Sequence, residues 1–263
     1  MKFLYIIFLI FFFSIFFHFV YAIEPILISI SSNLDQVVFD GKWTDPYEWK
    51  KSSYNQLEFD DGARIHLRTA HQGNFIYIQI DFESDHNIDK GYDSAIVCFD
   101  TENDKTKFPQ MDDYCFSTTI DVKKPLTYQG NNDPEINNSF SKIPNDKNFL
   151  AVGSASDKND RYNKIPHASY EFKIPLDVLG RSNNYGFYIS VFDAYSKNHY
   201  SWPYDIKNQS SISSPSKWGD LVSPDNSLPE FDFSFLFISV ISLIIFFTII
   251  MKFDLFKTDI GNY

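Results

Sequence analysis

Short runs in which apolar and polar residues alternate constrain this chain more than any other feature. In residues 63–69, Ala63, Ile65 and Leu67 share one face, and residues 75–82 repeat the pattern after a short turn that contains glycine. A period of two is typical of a half-buried β-strand, because successive side chains point to opposite faces. Two such runs joined by a short turn predict a β-hairpin.

The same pattern returns along the chain and predicts an all-β fold. Residues 123–166 show little periodicity apart from 149–152 and are predicted to be long excursions between strands. Pro175 and Gly180 bound one short helical turn. Many short strands with almost no helix favour an antiparallel β-sandwich of jelly-roll or immunoglobulin-like type. The further predicted strands are residues 94–100, 114–122, 168–174 and 185–193, with a closing strand near 218–221.

Both ends of the chain are predicted to be apolar segments that direct export or attachment to a membrane. Lys2, an apolar run, and small residues at Val20 and Ala22 indicate a signal peptide over residues 1–22, although the run is long enough for an uncleaved anchor. Residues 233–251 carry no charge, and nineteen helical residues span a bilayer core of about 30 Å. The sequence therefore predicts an exterior domain over residues 23–222, a spacer at 223–232, a transmembrane helix and a cytoplasmic tail at 252–263.

Charge and motifs narrow the function of the exterior domain. The chain has a formal net charge of −11, and the charges at its two ends cancel. An acidic domain repels nucleic acid, so we expect no nucleic-acid partner. The sequence contains no G-x-S-x-G, H-E-x-x-H or C-x-x-C motif, so a non-catalytic role is favoured. Cys98 and Cys115 both lie in the exterior part, where a disulfide between them is permitted but not required by the sequence.

Five segments in order resemble the family 9 carbohydrate-binding modules and the wider DOMON-like sandwich group. The resemblance covers roughly residues 35–222 and implies a sandwich fold, sugar as the commonest ligand, sometimes bound calcium, and haem in related domains. A second resemblance, of Pro229, Glu230 and Phe231 to the archaeal PEF-type sorting signal, implies that a lipid anchor replaces the span. The five segments are VFDGKW at 38–43 with Glu48 and Trp49, AHQGNFIYI at 70–78, CFDTEN at 98–103 with Asp112 to Tyr114, YEFKIPL at 170–176 with Leu179 and Gly180, and Trp218 with Gly219.

Aromatic and cationic side chains are the candidate sugar ligands. Trp202 lies in a loop before a proline between Tyr200 and Tyr204, and an indole can stack on the apolar face of a sugar ring. Trp43 is a second candidate platform, and for both tryptophans plain packing is the alternative. Arg64 and Arg68 can hold a carboxylate through bidentate hydrogen bonds, or can belong to a solvated sheet face. Trp49 and Trp218 are expected to be core residues.

An acidic loop is the candidate calcium site. Carboxylates are the hard oxygen ligands that Ca²⁺ prefers, but the glycine of a typical calcium loop is missing, and acidic loops are common without metal. The candidate ligands are Asp100, Glu102, Asp104, Asp112 and Asp113.

Haem is the alternative cofactor, since haem iron is held by Met and His ligands in some proteins. Met111 is the one exterior methionine, and His66, His71 and His167 are its candidate partners. The sequence as a whole predicts a membrane-anchored, extracellular carbohydrate-binding module. A haem-binding electron-transfer domain and a structural or adhesive surface protein remain as alternatives.

Overall fold

A computed structural model describes residues 24–31, 34–131, 140–204 and 212–223. Strands and short helical turns account for the regular structure of these residues. The strands are β1 Ile26–Leu27, β2 Ser29–Ile30, β3 Ser53–Glu58, β4 Arg64–Gln72, β5 Phe75–Phe82, β6 Ser94–Asp100, β7 Asp113–Thr119, β8 Val122–Gly130, β9 Phe140–Ile143, β10 Leu150–Ala155, β11 Ala168–Pro175, β12 Asn184–Asp193, β13 Asn198–Trp202 and β14 Gly219–Val222. Helix α1 is Leu176–Leu179, and single 3₁₀ turns lie at Leu34–Gln36 and Pro215–Lys217.

The strands form two sheets. The larger has the order β1-β14-β12-β6-β7-β8-β9 with β13 also beside β12, and the smaller has the order β10-β11-β5-β4-β2 with β3 also beside β4. The all-β prediction is confirmed, but the purely antiparallel pairing is corrected. β1 runs parallel to β14 in the larger sheet, and β2 runs parallel to β4 in the smaller. Both exceptions belong to one extended N-terminal segment that leaves one sheet and joins the other.

The main core lies between the two sheets. Alternate residues of the central strands are buried there, including Val97 on β6, Ile78 on β5, Phe172 on β11 and Ile189 on β12. Burying such a side chain contributes about 1.5–3 kcal/mol relative to leaving it exposed. The apolar residues of the alternating pattern in the sequence are therefore those that fill the dry interface between the sheets.

A second apolar layer covers the outer face of the smaller sheet. Leu34, Trp43 and Trp49 pack there against Ala70 of β4 and Tyr77 of β5. The residues between β3 and the N-terminal strands thus form a lid over a sheet face that the sequence pattern predicts to be solvated. Arg68 lies beneath this layer, and Asp81 and His167 lie beneath the loop between β10 and β11.

The predicted hairpin is confirmed as β4 and β5, and the predicted helical turn as α1. The prediction of long excursions over residues 123–166 is wrong, because β8, β9 and β10 lie within them. β8 contains Pro125, and its pairing with β7 shifts register between Ser117 and Thr119. An irregular, partly exposed strand shows no clean period of two, which is why the pattern is missed.

The predicted signal peptide and transmembrane helix lie outside the described residues. Among the residues that the structure describes, no helix has the length and apolar character needed to cross a membrane. All described residues belong to one structural unit, Met1–Asp225, and the second unit, Asn226–Tyr263, falls outside the described ranges.

Candidate functional site

The aromatic residues predicted around Trp202 lie on or directly after strand β13. Tyr204 is 52 % exposed, and its hydroxyl donates to Asp60 Oδ2 at 2.9 Å. The hydroxyl of Tyr200 donates to Asp61 Oδ2 at 2.9 Å. Both carboxylates belong to the exposed turn between β3 and β4, so this side of the sandwich combines aromatic rings with two acidic groups. We call Tyr200, Trp202, Tyr204, Asp60 and Asp61 the aromatic edge.

Phe59 joins the aromatic edge to the core. Its ring centroid is 5.1 Å from that of Tyr200 in an edge-to-face arrangement and 6.0 Å from that of Tyr204. Tyr200 also contacts Phe82, with centroids 4.9 Å apart, and burial raises the pKa of Tyr200. Contact with the core therefore holds Tyr200 rigidly, while the ring of Tyr204 faces solvent. Sequence reasoning missed the contribution of Phe59, Asp60 and Asp61, because they are distant in the chain from residues 200–204.

Trp202 is half-buried and packs against two neighbours. Its ring centroid is 6.2 Å from that of Phe187 on β12. Its ring also lies directly over the backbone of Gly219, where a Cβ atom would come within 2.2 Å of a ring carbon. One face of the indole therefore packs against the protein. Only the part of the ring that remains exposed can stack on a sugar.

Trp43 does not lie at the surface. It is only 2 % exposed, and it packs edge-to-face against Tyr162 with centroids 5.8 Å apart. Its ring therefore belongs to the layer that covers the smaller sheet, which corrects its prediction as a sugar platform. The expectation that Trp49 and Trp218 are core residues is confirmed, since both are buried.

The two predicted arginines have different environments. Arg64 is partly exposed and pairs with Glu58 at 3.3 Å and Glu83 at 3.1 Å. Arg68 is 7 % exposed, and its Nε donates to the hydroxyl of Tyr162 at 2.7 Å. Arg68 is therefore an internal hydrogen-bond donor, and its guanidinium group is not free to bind a ligand. Arg64 remains accessible, but both of its carboxylate partners already lie on the protein.

The acidic loop brings three of its five predicted ligands together. Oxygen atoms of Asp100, Asp112 and Asp113 lie within 4.8 Å of one another, whereas Glu102 and Asp104 are exposed and outside this group. Asp112 Oδ2 and Asp113 Oδ1 are buried and receive no hydrogen bond. Burial, with the nearby charge of Asp100, raises the pKa of Asp113 to about 8. Unpartnered carboxylate oxygens of this kind fit the donor set of a hard cation.

A second all-carboxylate cluster, which sequence reasoning missed, lies at the opposite end of β6 and β12. Asp85, Asp93 and Asp193 bring oxygens within 4.8 Å of one another. Asp85 Oδ2 and the fully buried hydroxyl of Tyr170 have no hydrogen-bond partner. Burial, followed by the charge of Asp93, raises the pKa of Asp85 to about 7. Asp85 and Asp93 lie in the connection between β5 and β6, whereas Asp193 is the last residue of β12, so no local sequence motif indicates the cluster.

The predicted haem ligands lie on different sheets. Met111 lies two residues before β7 of the larger sheet and is 55 % exposed. His66 and His71 lie on β4, and His167 directly precedes β11, all in the smaller sheet and all buried. Haem binding remains an expectation from the sequence.

Cys98 and Cys115 form a disulfide between neighbouring strands β6 and β7, where the two residues are direct partners across the sheet. The disulfide permitted by the sequence is thus present. It lies on the outer face of the larger sheet, under Tyr188 and Trp218.

The solved structures that are similar to this chain include two of a family 9 carbohydrate-binding module from Caldicellulosiruptor kristjanssonii. The one in complex with glucose has a TM-score of 0.49 and 15 % sequence identity, and covers 78 % of this chain and 100 % of that chain. The one in complex with cellotriose has a TM-score of 0.44 and 17 % identity, and covers 78 % of this chain and 98 % of that chain. No family model matches the sequence, and no curated protein matches it.

Proposed function

We propose that this protein is a non-catalytic carbohydrate-binding module displayed on the outside of the cell. The observation that carries the proposal is the aromatic edge, in which the exposed ring of Tyr204 lies beside the carboxylates of Asp60 and Asp61. Sugar sites combine an aromatic surface with a few well-placed polar groups that fix the hydroxyls. The order of sequence motifs between residues 35 and 222, which resembles family 9 modules, supports the same function.

The rigidity of the aromatic edge favours binding. Tyr200 and Phe59 are held by ring contacts to each other and to the core, so few side-chain rotamers have to be ordered when a ligand arrives. Less lost freedom means that more of the contact energy appears as affinity. The acidic partners also favour a neutral sugar over a uronic acid, because Asp60 and Asp61 would repel a ligand carboxylate.

Attachment to the membrane is the second part of the proposal. It rests on the uncharged run at 233–251 and the signal-like run at residues 1–22. The C-terminal run acts either as a retained span or as a sorting signal that a lipid replaces. Mass spectrometry of the native protein distinguishes the two, because processing removes the C-terminal residues.

Binding of the purified full-length chain to an array of neutral oligosaccharides tests the sugar proposal. We expect Tyr204→Ala to weaken binding to the best array ligand by roughly 5- to 30-fold, because truncating an anchoring aromatic costs about 1–2 kcal/mol. Tyr204 is a better test than Trp202, whose removal also disturbs the packing on Phe187 and Gly219.

Tyr195→Ala is the matched control. Tyr195 is 70 % exposed in the turn between β12 and β13, and it lies outside the aromatic edge. The control is expected to bind as the wild type does. Equal affinity of the Tyr204→Ala variant and the wild type, or an array without any bound sugar, contradicts the proposal.

A further inference from the structure

Three buried side chains meet on the outer face of the smaller sheet, beneath the loop between β10 and β11. Asp81 is on β5, Asp160 is in the loop, and His167 directly precedes β11. The side chains of Asp81 and His167 are fully buried, and that of Asp160 is 1 % exposed. His167 Nε2 lies 2.8 Å from Asp81 Oδ1 and 3.9 Å from Asp160 Oδ1.

The second ring nitrogen of His167 fixes the tautomer. His167 Nδ1 lies 2.8 Å from the backbone carbonyl oxygen of Ile165 and 2.9 Å from Ser156 Oγ. A carbonyl oxygen only accepts hydrogen bonds, so Nδ1 carries a proton. The lone pair of the neutral ring is then on Nε2, directed at the two carboxylates. Histidines that ligate metals nearly always donate their other N–H in this way.

Asp160 Oδ1 accepts hydrogen bonds from the backbone N–H groups of Tyr162 and Asn163, but the other oxygen of each carboxylate lacks a donor. Asp81 Oδ2 and Asp160 Oδ2 are buried and receive no hydrogen bond. Ser169 is paired directly with Asp81 across β11 and β5, so the two side chains leave the same face as neighbours. The Oγ atom of Ser169 is also buried without a partner. A buried polar atom without a partner costs about 1–3 kcal/mol, so three beside one imidazole need an explanation.

The charges of the two buried carboxylates, Asp81 and Asp160, also need an explanation. Two carboxylates in a dry environment repel each other, and burial of each is costly unless a cation compensates. An imidazolium at His167 compensates one of them and leaves the other. The neighbouring cationic side chains are engaged with other groups, because Lys164 contacts the backbone oxygen of Asp160 and Arg68 donates to the hydroxyl of Tyr162.

We propose that Asp81, Asp160 and His167 bind a divalent transition-metal ion of the zinc class, with Ser169 as an additional oxygen donor. His167 Nε2 lies 2.8 Å from Asp81 Oδ1 and 3.9 Å from Asp160 Oδ1, and two atoms this far apart can both bind one ion through metal–ligand bonds of about 2.0–2.2 Å. A +2 ion balances the two carboxylates. The imidazole nitrogen separates this site from the two all-carboxylate clusters, because Ca²⁺ takes oxygen ligands whereas zinc accepts imidazole.

The site is structural, because all three ligands are inaccessible to a substrate. It ties the loop that carries Asp160 and Tyr162 to the face of the smaller sheet. Tyr162 in turn stacks on His66 with ring centroids 3.8 Å apart, so the metal would hold the aromatic layer above β4 in place. Loss of the metal is therefore expected to loosen this covering layer.

The test uses the purified full-length chain, stripped with a chelator and titrated with Co²⁺ and Zn²⁺. We expect one equivalent of Co²⁺ to give a visible absorption band typical of nitrogen and oxygen ligation, and Zn²⁺ to displace it and raise the thermal midpoint. Both effects are expected to vanish in His167→Gln and in the isosteric Asp160→Asn. His199→Gln, on β13 of the other sheet, is expected to behave as the wild type.

Two results overturn the proposal. The first is wild-type protein that takes up less than stoichiometric Co²⁺ or Zn²⁺ and shows no shift in midpoint, which leaves a proton-sharing His–Asp group. The second is unchanged metal binding in Asp160→Asn. If His167→Gln does not fold, metal content and midpoint of the wild type and of Asp160→Asn decide the question alone.

Discussion

Glu171 is the buried acid that holds the covering layer to the smaller sheet. Its Oε1 accepts from the indole N–H of Trp49 at 3.0 Å, and its Oε2 accepts from the backbone N–H groups of Gly41 at 2.8 Å and Asp40 at 3.1 Å. Burial raises the pKa of Glu171 well above its usual range, and these donors oppose the shift. The segment with Gly41 and Trp49 is therefore fastened to β11 through one side chain.

Glu171→Gln is expected to lower the free energy of unfolding by about 1–3 kcal/mol. The amide that replaces one oxygen carries donors, so it leaves at least one buried N–H without an acceptor. Urea unfolding monitored by tryptophan fluorescence measures the change. Glu58→Gln on the exposed face of β3 is the control and is expected to change stability by less than about 0.5 kcal/mol. An unchanged free energy of unfolding in Glu171→Gln would show that the carboxylate is not needed for stability.

His71 makes the fold sensitive to acid. It is 4 % exposed, and burial, aided by Arg181, lowers its pKa to about 4. Below the ordinary histidine pKa of about 6.5 the unfolded chain binds a proton that the folded chain refuses. The contribution of His71 to stability is therefore fully present above that pH, and it is lost as the pH drops from about 6.5 to about 4, by up to about 3 kcal/mol.

His71→Leu is expected to flatten this part of the stability profile, because leucine does not titrate. Urea unfolding at a series of pH values between about 4 and 7 measures the slope for both proteins. His86→Leu, at an exposed position, is expected to keep the wild-type slope. Parallel profiles for His71→Leu and the wild type would refute the assignment.

At the scale of elements, the Cys98–Cys115 disulfide joins two central strands of the larger sheet. The cross-link closes the acidic loop that includes Asp100 and Asp112. Constraining a loop of this size in the unfolded chain stabilises the fold by about 3 kcal/mol in the chain-entropy account. The bond thus supports both the larger sheet and the loop that carries one carboxylate cluster.

The double variant Cys98→Ala and Cys115→Ala is expected to unfold about 3 kcal/mol more easily than the oxidised wild type. Thermal and urea unfolding measure the loss, and wild-type protein treated with a reductant is expected to approach the same midpoint. The reductant is expected to leave the double variant unchanged. A variant as stable as the oxidised protein would contradict the stabilising role.

At the scale of the whole molecule, two carboxylate clusters lie at opposite ends of β6 and β12. The chain carries a net charge of −11, so each cluster adds repulsion to an already acidic domain. The raised pKa values of Asp85 and Asp113 reflect the cost of ionising these groups without a cation. Ca²⁺ would remove that cost by supplying the opposite charge.

Ca²⁺ is expected to raise the thermal midpoint of the full-length chain, and a chelator to lower it. A ligand at about 100 times its Kd stabilises the fold by about 2.7 kcal/mol. The double variant Asp85→Asn and Asp113→Asn is expected to lose the response to Ca²⁺. Asp177→Asn, an exposed position on α1, is expected to keep it. A wild-type midpoint that does not respond to Ca²⁺ would rule out calcium at both clusters.

The sequence by itself determined which side chains of the β4–β5 hairpin and of β11 face the core, and that the residues of β6 and β12 form strands. Alternation is a local property, because side-chain direction in a strand follows from the backbone alone. The same reasoning grouped Tyr200, Trp202 and Tyr204, which are neighbours in the chain. It failed for β8, where an irregular register hides the period.

Only the tertiary structure decided which distant groups meet. Asp60 reaches Tyr204, Glu171 reaches Trp49, and Asp81 reaches His167, and in each pair long stretches of chain separate the partners. It also moved Trp43 from a predicted surface platform into a buried layer. The physical reason is that strand pairing and the packing of loops over a sheet face set these contacts, and neither leaves a local pattern in the sequence.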